Sequence, residues 1–146
     1  LSFSELGTLK SAYYNENIKK FALMVSGKMV ITDENKNILV DNISLALNQS
    51  GFSISSLTAD DKYIYVSYVR NNVNDVPFKV FTWDGKLVST TTINGVTLGK
   101  NGTADRNFNL QTVFTHNDKI YASVCSWDSG SKYYLFSVDF DTTNLE

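Results

Sequence analysis

The stretch TADDKYIYVSYV, residues 58–69, is echoed by THNDKIYASVCS at residues 115–126. Each sets the phrase Thr-x-x-Asp-Lys before a run in which apolar and polar-edged residues alternate. In an extended chain that alternation sends successive side chains to opposite faces, so each phrase reads as a turn launching a half-buried strand. Asp and Asn suit the turn because their side chains bond nearby backbone N–H groups. The recurrence within 146 residues points to a repeated supersecondary unit.

Working outward, the same grammar fills the chain. Around the first phrase, SISSLT (53–58), YIYVSYV (63–69), FKVFTW (78–83) and KLVSTTTI (86–93) read as strands, separated by ADDK, RNNVNDVP and DG. The single proline, Pro77, falls at a strand entrance, where a missing N–H does least harm. Around the second phrase come NLQTVFT (109–115), KIYASVCS (119–126) and KYYLFSVDF (132–140). A more degraded copy precedes both, with LKSAYY (9–14), KKFALMVSG (19–27), KMVIT (28–32) and NILVDNI (37–43). Helical signals are poor. Asn, Ser and Thr are scattered throughout and compete with helical backbone bonds, and ISLALNQS (43–50) is short and uncapped.

The expectation is therefore an all-β fold of antiparallel meanders in pseudo-repeats covering about 9–43, 51–93 and 108–146. Asp61 and Asp118 stand 57 residues apart, and Asp33, Asp84 and Asp141 recur at 51 and 57. A four-strand repeat of this length is the pattern of a β-propeller blade, and the chain resembles propeller repeats over nearly its whole length. On that resemblance it holds about three blades, with the third copy ending where its fourth strand is due. Three blades do not close a ring, so the chain, which starts at Leu1, reads as part of a larger propeller or as one that assembles with other copies. The rival architecture is a β-sandwich, which leaves the Asp-Lys echo unexplained.

Composition narrows the function. Hydrophobic residues make up 42% of the chain, enough for a packed core and too many for a disordered segment. The net charge of −2 argues against nucleic acid or an anionic membrane, both of which call for a basic stripe; the densest basic cluster is Lys19-Lys20. No apolar run approaches the ~20 residues that span a bilayer, and the opening LSFSELGTLK does not read as a signal peptide. Cys125 is the only cysteine, so no disulfide framework or CxxC metal site is expected.

Groups that invite catalytic readings fare poorly. Asp60-Asp61, Asp33-Glu34 and Asp139 with Asp141 resemble the carboxylate pairs of glycosidases, but each falls in a turn. DENKN (33–37) starts like a calcium loop, yet Ile38 stands where its glycine belongs and Ser44 where its final Glu belongs. GVTLGKNGT (95–103) is one residue short of a phosphate loop, and Asn101 replaces the magnesium-binding hydroxyl. His116 is the only histidine and lies in a turn. SWDSGSKY (126–133) resembles the first part of the Asp-box of sialidases and departs from it at Lys132 and Tyr133. Sialidases hold their substrate with three arginines, whereas this chain has only Arg70 and Arg106. No catalytic residue, metal or cofactor is expected.

What remains is a surface rich in Tyr, Trp, Asn and Asp, chemistry that suits sugar rings or a protein surface. Tyr13, Tyr14, Tyr68, Trp83, Trp127, Tyr133 and Tyr134 are the polar-edged aromatics, although most aromatics in a β-protein serve the core. The copies disagree at the long RNNVNDVP loop, the SWDSGS turn and the GKNGTADRN connector between them; the candidate ligand-binding set is Arg70, Asn72 and Asp75 in the first, Trp127, Asp128 and Tyr133 around the second, and Trp83. Through DDKYIYVS, FTWDGKLV and NDKIYASV the chain resembles propeller domains of tail receptor-binding proteins from phages of Gram-positive hosts, and TolB-like envelope propellers. That resemblance implies a non-enzymatic, extracellular or surface-borne module that binds a glycan or a surface protein. Part of a propeller glycosidase or lyase, and a structural segment completing a ring with partner chains, are the alternatives.

Overall fold

A computed structural model describes residues 7–47, 51–69, 76–93, 108–117, 119–126 and 132–138. Eleven strands run through them, and every described element is a strand or a turn. The first sheet takes β1 (Leu9–Asn15), β2 (Lys20–Val25), β3 (Lys28–Asp33) and β4 (Ile38–Ser44). The second takes β5 (Ser53–Ala59), β6 (Tyr63–Val69), β7 (Val76–Thr82) and β8 (Leu87–Ile93), and the third β9 (Phe108–His116), β10 (Lys119–Ser126) and β11 (Lys132–Val138). Each sheet is an antiparallel meander whose strands pair in chain order. The expected all-β, antiparallel class holds, and the strand boundaries match the alternating runs to within two residues. Residues 139–146, the end of the third copy with Asp141 in it, lie outside the described residues, as does Asp118.

The three sheets share a construction finer than their sequences reveal. In each first strand one extra residue breaks the register: Lys10 in β1, Ser55 in β5 and Gln111 in β9. Such a bulge bends and twists its strand. Five residues beyond each bulge stands the residue that closes the first hairpin: Asn15 opposite Lys20, Asp60 bonded to Tyr63, and His116 opposite Lys119. Asn15 Oδ1 accepts from the N–H groups of Asn17 (3.0 Å) and Ile18 (3.4 Å), while Asp60 Oδ1 accepts from those of Lys62 (2.9 Å) and Tyr63 (2.8 Å). Both are Asx turns of the same kind.

The third hairpins of the first two sheets also match. Asp33 N–H donates to Asn37 O (3.0 Å) and Thr82 N–H to Lys86 O (2.9 Å), each enclosing a three-residue loop. The last loop residue is left-handed in both, Lys36 at φ 68° and Gly85 at φ 83°, the usual form of such hairpins. The structural counterpart of Asp33 is thus Thr82, two residues before Asp84. Asp33 Oδ1 accepts from Asn37 N–H (2.8 Å), and Thr82 Oγ1 does the same for Lys86 N–H (3.2 Å). Between β2 and β3 the turn is only Ser26-Gly27, both at positive φ, the mirror-image turn that tight hairpins favour.

Pro77 ends one ladder. The pairing of β6 with β7 runs from Tyr63–Thr82 to Ser67–Phe78 and stops one residue short of it, while Pro77 still lies opposite Thr92 of β8.

The core lies between the first and second sheets. Ala22, Met24, Met29 and Ile31 of the first meet Ile64, Val66, Tyr68 and Phe81 of the second in one buried cluster, with Ile43, Leu45, Leu57 and Ala59 around them. Full burial of each larger side chain contributes about 1.5–3 kcal/mol. The two faces are not equivalent. With Asn15 matched to Asp60 and Lys20 to Tyr63, Phe21 corresponds to Ile64 and Ala22 to Tyr65. The first sheet therefore offers its Ala22 face to the Ile64 face of the second, and the stack is directional. The first strands follow one another in contact, β1 against β5 and β5 against β9. The link from β4 to β5 is pinned by the second sheet, where Tyr68 Oη donates to Leu45 O (2.7 Å) and Lys79 Nζ to Ala46 O (2.6 Å).

Candidate functional site

The densest polar arrangement among the described residues lies where the first hairpins of the first two sheets meet. Asn15, whose oxygen is spent on its own turn, turns its Nδ2 across the sheet boundary. That nitrogen donates to Asp60 O (3.1 Å) and Asp61 Oδ1 (3.0 Å). Asn17 Nδ2 reaches the same carboxylate at 3.2 Å and 3.3 Å. Asp60 O also accepts from Trp83 Nε1 at 2.8 Å, and Asp60 Oδ2 from Tyr65 Oη at 2.9 Å. Asp60 and Asp61 thus tie the first-hairpin turns of two sheets to each other and to the third-hairpin turn at Trp83. Bonds to an ionised acceptor are the stronger kind, and leaving a buried partner such as Asn15 unpaired costs about 1–3 kcal/mol.

This geometry decides the chemistry of the acidic pair. Both oxygens of Asp61 face amide donors, and those of Asp60 hold backbone N–H groups and a phenol, so the two carboxylates serve as acceptors. Tyr13 borders them, and its phenol is pushed above its ordinary value of 10.0, first by burial and then by the charges of Asp60 and Asp61. A phenol so placed stays neutral in ordinary buffers. The cluster acts as a fastening.

The DENKN turn is likewise self-satisfied. Asp33 accepts from the N–H groups of Asn35 (2.9 Å) and Asn37 (2.8 Å) and from Asn37 Nδ2 (2.9 Å). The side-chain bond to Asn37 is the largest cause holding its carboxyl below the ordinary 3.8. Among the described residues no group of three or more His, Cys, Asp or Glu side chains is arranged to hold a metal ion.

The candidate ligand-binding residues divide by position. Trp83 lies in the third-hairpin turn of the second sheet, 6% exposed, with its indole N–H taken by Asp60; what it offers is core packing. Tyr68 is also buried, whereas Tyr14 is 43% exposed and packs against Phe21 with ring centroids 4.6 Å apart. Arg70, Asn72 and Asp75, and Trp127 and Asp128, lie outside the described residues. Their flanking strands are described. Residues 70–75 join β6 to β7 and residues 127–131 join β10 to β11, so both are second-hairpin connections of their sheets. Tyr133 follows directly, in β11 opposite Cys125. His116 is exposed at the end of β9, its Nε2 3.2 Å from Asn117 Nδ2.

Sequence reasoning missed Asn15. The signal was Asn-x-Asn just before a strand, the Asx pattern that ADD presents in the next copy. Compared with known proteins, the chain matches no family description, no curated protein and no solved structure.

Proposed function

We propose that the chain is a run of about three β-propeller blades serving as a non-enzymatic recognition module for a saccharide or protein on a cell surface, outside the cell or on a virion. The observation that carries the propeller reading is the directional stack. The first two meanders meet by unlike faces, first strand lies beside first strand through all three, and each first strand carries the same bulge, as radial blades require. A β-sandwich has no need of such a repeat.

The recognition reading rests on an asymmetry between the two ends of the sheets. At the end of the first and third hairpins, the side chains of Asn15, Asp33, Asp60 and Thr82 are committed to turns and to the inter-sheet fastening. The opposite end carries the second hairpins and the connections between sheets. There the first sheet makes do with Ser26-Gly27, while the second and third insert residues 70–75 and 127–131. Those insertions hold Arg70, Asn72, Asp75, Trp127 and Asp128, with Tyr133 adjoining: an aromatic face and several hydrogen-bonding groups, suited to a pyranose or a polar protein patch. Trp83 takes no part in this site.

Whole-chain binding to a broad glycan array and to isolated cell walls tests the reading. Saturable binding that Trp127→Ala and Arg70→Ala each weaken several-fold, with the fold intact by circular dichroism, is the expected result. Flat binding across all probes overturns it. So does turnover of a glycan that Asp139→Asn, or Asp60→Asn with the fold intact by circular dichroism, abolishes, which assigns the chain to a propeller glycosidase or lyase instead.

A further inference from the structure

No further inference is drawn: the strongest candidate, the apolar face of the first sheet formed by buried Leu23, Val25 and Val30 with Phe21 half-buried beside them, on the side away from the second sheet, carries nothing because nothing in the structure shows what covers it.

Discussion

Asn15 and Asp60 hold the same place in successive sheets, five residues past the bulges at Lys10 and Ser55, and the side-chain amide of the first donates to the backbone carbonyl of the second at 3.1 Å. One position thus does two jobs. Its side-chain oxygen shapes the local turn in both sheets, and in the first its nitrogen reaches across to the next sheet. Asn serves both at once because it carries an acceptor and a donor on one short side chain.

Asn15→Ala is therefore expected to lower stability by about 1–2 kcal/mol in urea unfolding, through a lost turn acceptor and the lost amide bonds to Asp60 O and Asp61 Oδ1. Paired with Asp61→Ala in a double-mutant cycle, it should show a coupling of at least about 0.5 kcal/mol. Strict additivity of the two substitutions would remove the fastening as a stabilising contact.

Trp83 separates packing from hydrogen bonding. Trp83→Phe keeps most of the buried ring and loses only the 2.8 Å bond to Asp60 O, so a loss of about 1–2 kcal/mol is expected. Trp83→Ala also opens a cavity between the sheets, with an expected loss of about 3–5 kcal/mol. Chemical denaturation of both variants measures the difference. Equal losses would mean that the ring contributes little.

Two tyrosine and aspartate shifts set the pH limits. The carboxyl of Asp33 lies below 3.8 in the folded chain, so its turn contributes stability that is complete above that value and is lost as pH falls through the lower folded one. Tyr68, buried with its hydroxyl on Leu45 O, is pushed from 10.0 up to about 12. A group whose neutral form the fold favours contributes stability that is complete below 10.0 and lost as pH rises toward about 12. Denaturation midpoints across pH should accordingly fall at both extremes. Asp33→Ala should flatten the acid limb and Tyr68→Phe the alkaline one; an unchanged limb in either variant contradicts its assignment.

Much of the fold was legible because alternation is a one-dimensional record of a two-sided sheet. YIYVSYV and KIYASVCS coincide with β6 and β10 since no other secondary structure uses a period of two. The repeat frame was legible only roughly. Matching Asp33 to Asp84 relied on residue identity, whereas the turn needs any short side-chain acceptor, and Thr82 supplies it. The spacing of 57 from Asp61 to Asp118 comes close to the 56 from Asp60 to His116, and no aspartate echo marks the 45 from Asn15 to Asp60. Trp83 could not be placed from its neighbours, because a Trp in a turn is exposed or buried according to what distant parts of the chain bring against it. Here that includes Asp60 of the same sheet, 23 residues away in the chain.

The last prediction concerns Gly85, where a local and a long-range demand coincide. Its φ of +83° is one that side chains adopt with difficulty, and a Cβ there would stand 2.7 Å from Val40 Cγ1 and 2.9 Å from Ile43 Cδ1. The third hairpin of the second sheet thus touches β4 of the first, and only a bare backbone allows that approach. Gly27 has a similar φ, +78°, with nothing within 4 Å of the Cβ position. Gly27→Ala should then report backbone strain alone, about 1–2 kcal/mol. Gly85→Ala should lose that plus about 1–3 kcal/mol of overpacking, and Val40→Ala in the same chain should relieve part of the excess. Thermal or urea unfolding of the three variants decides it. If Gly85→Ala and Gly27→Ala unfold alike, the two sheets are not in close contact at this hairpin, and the directional stack loses its tightest point.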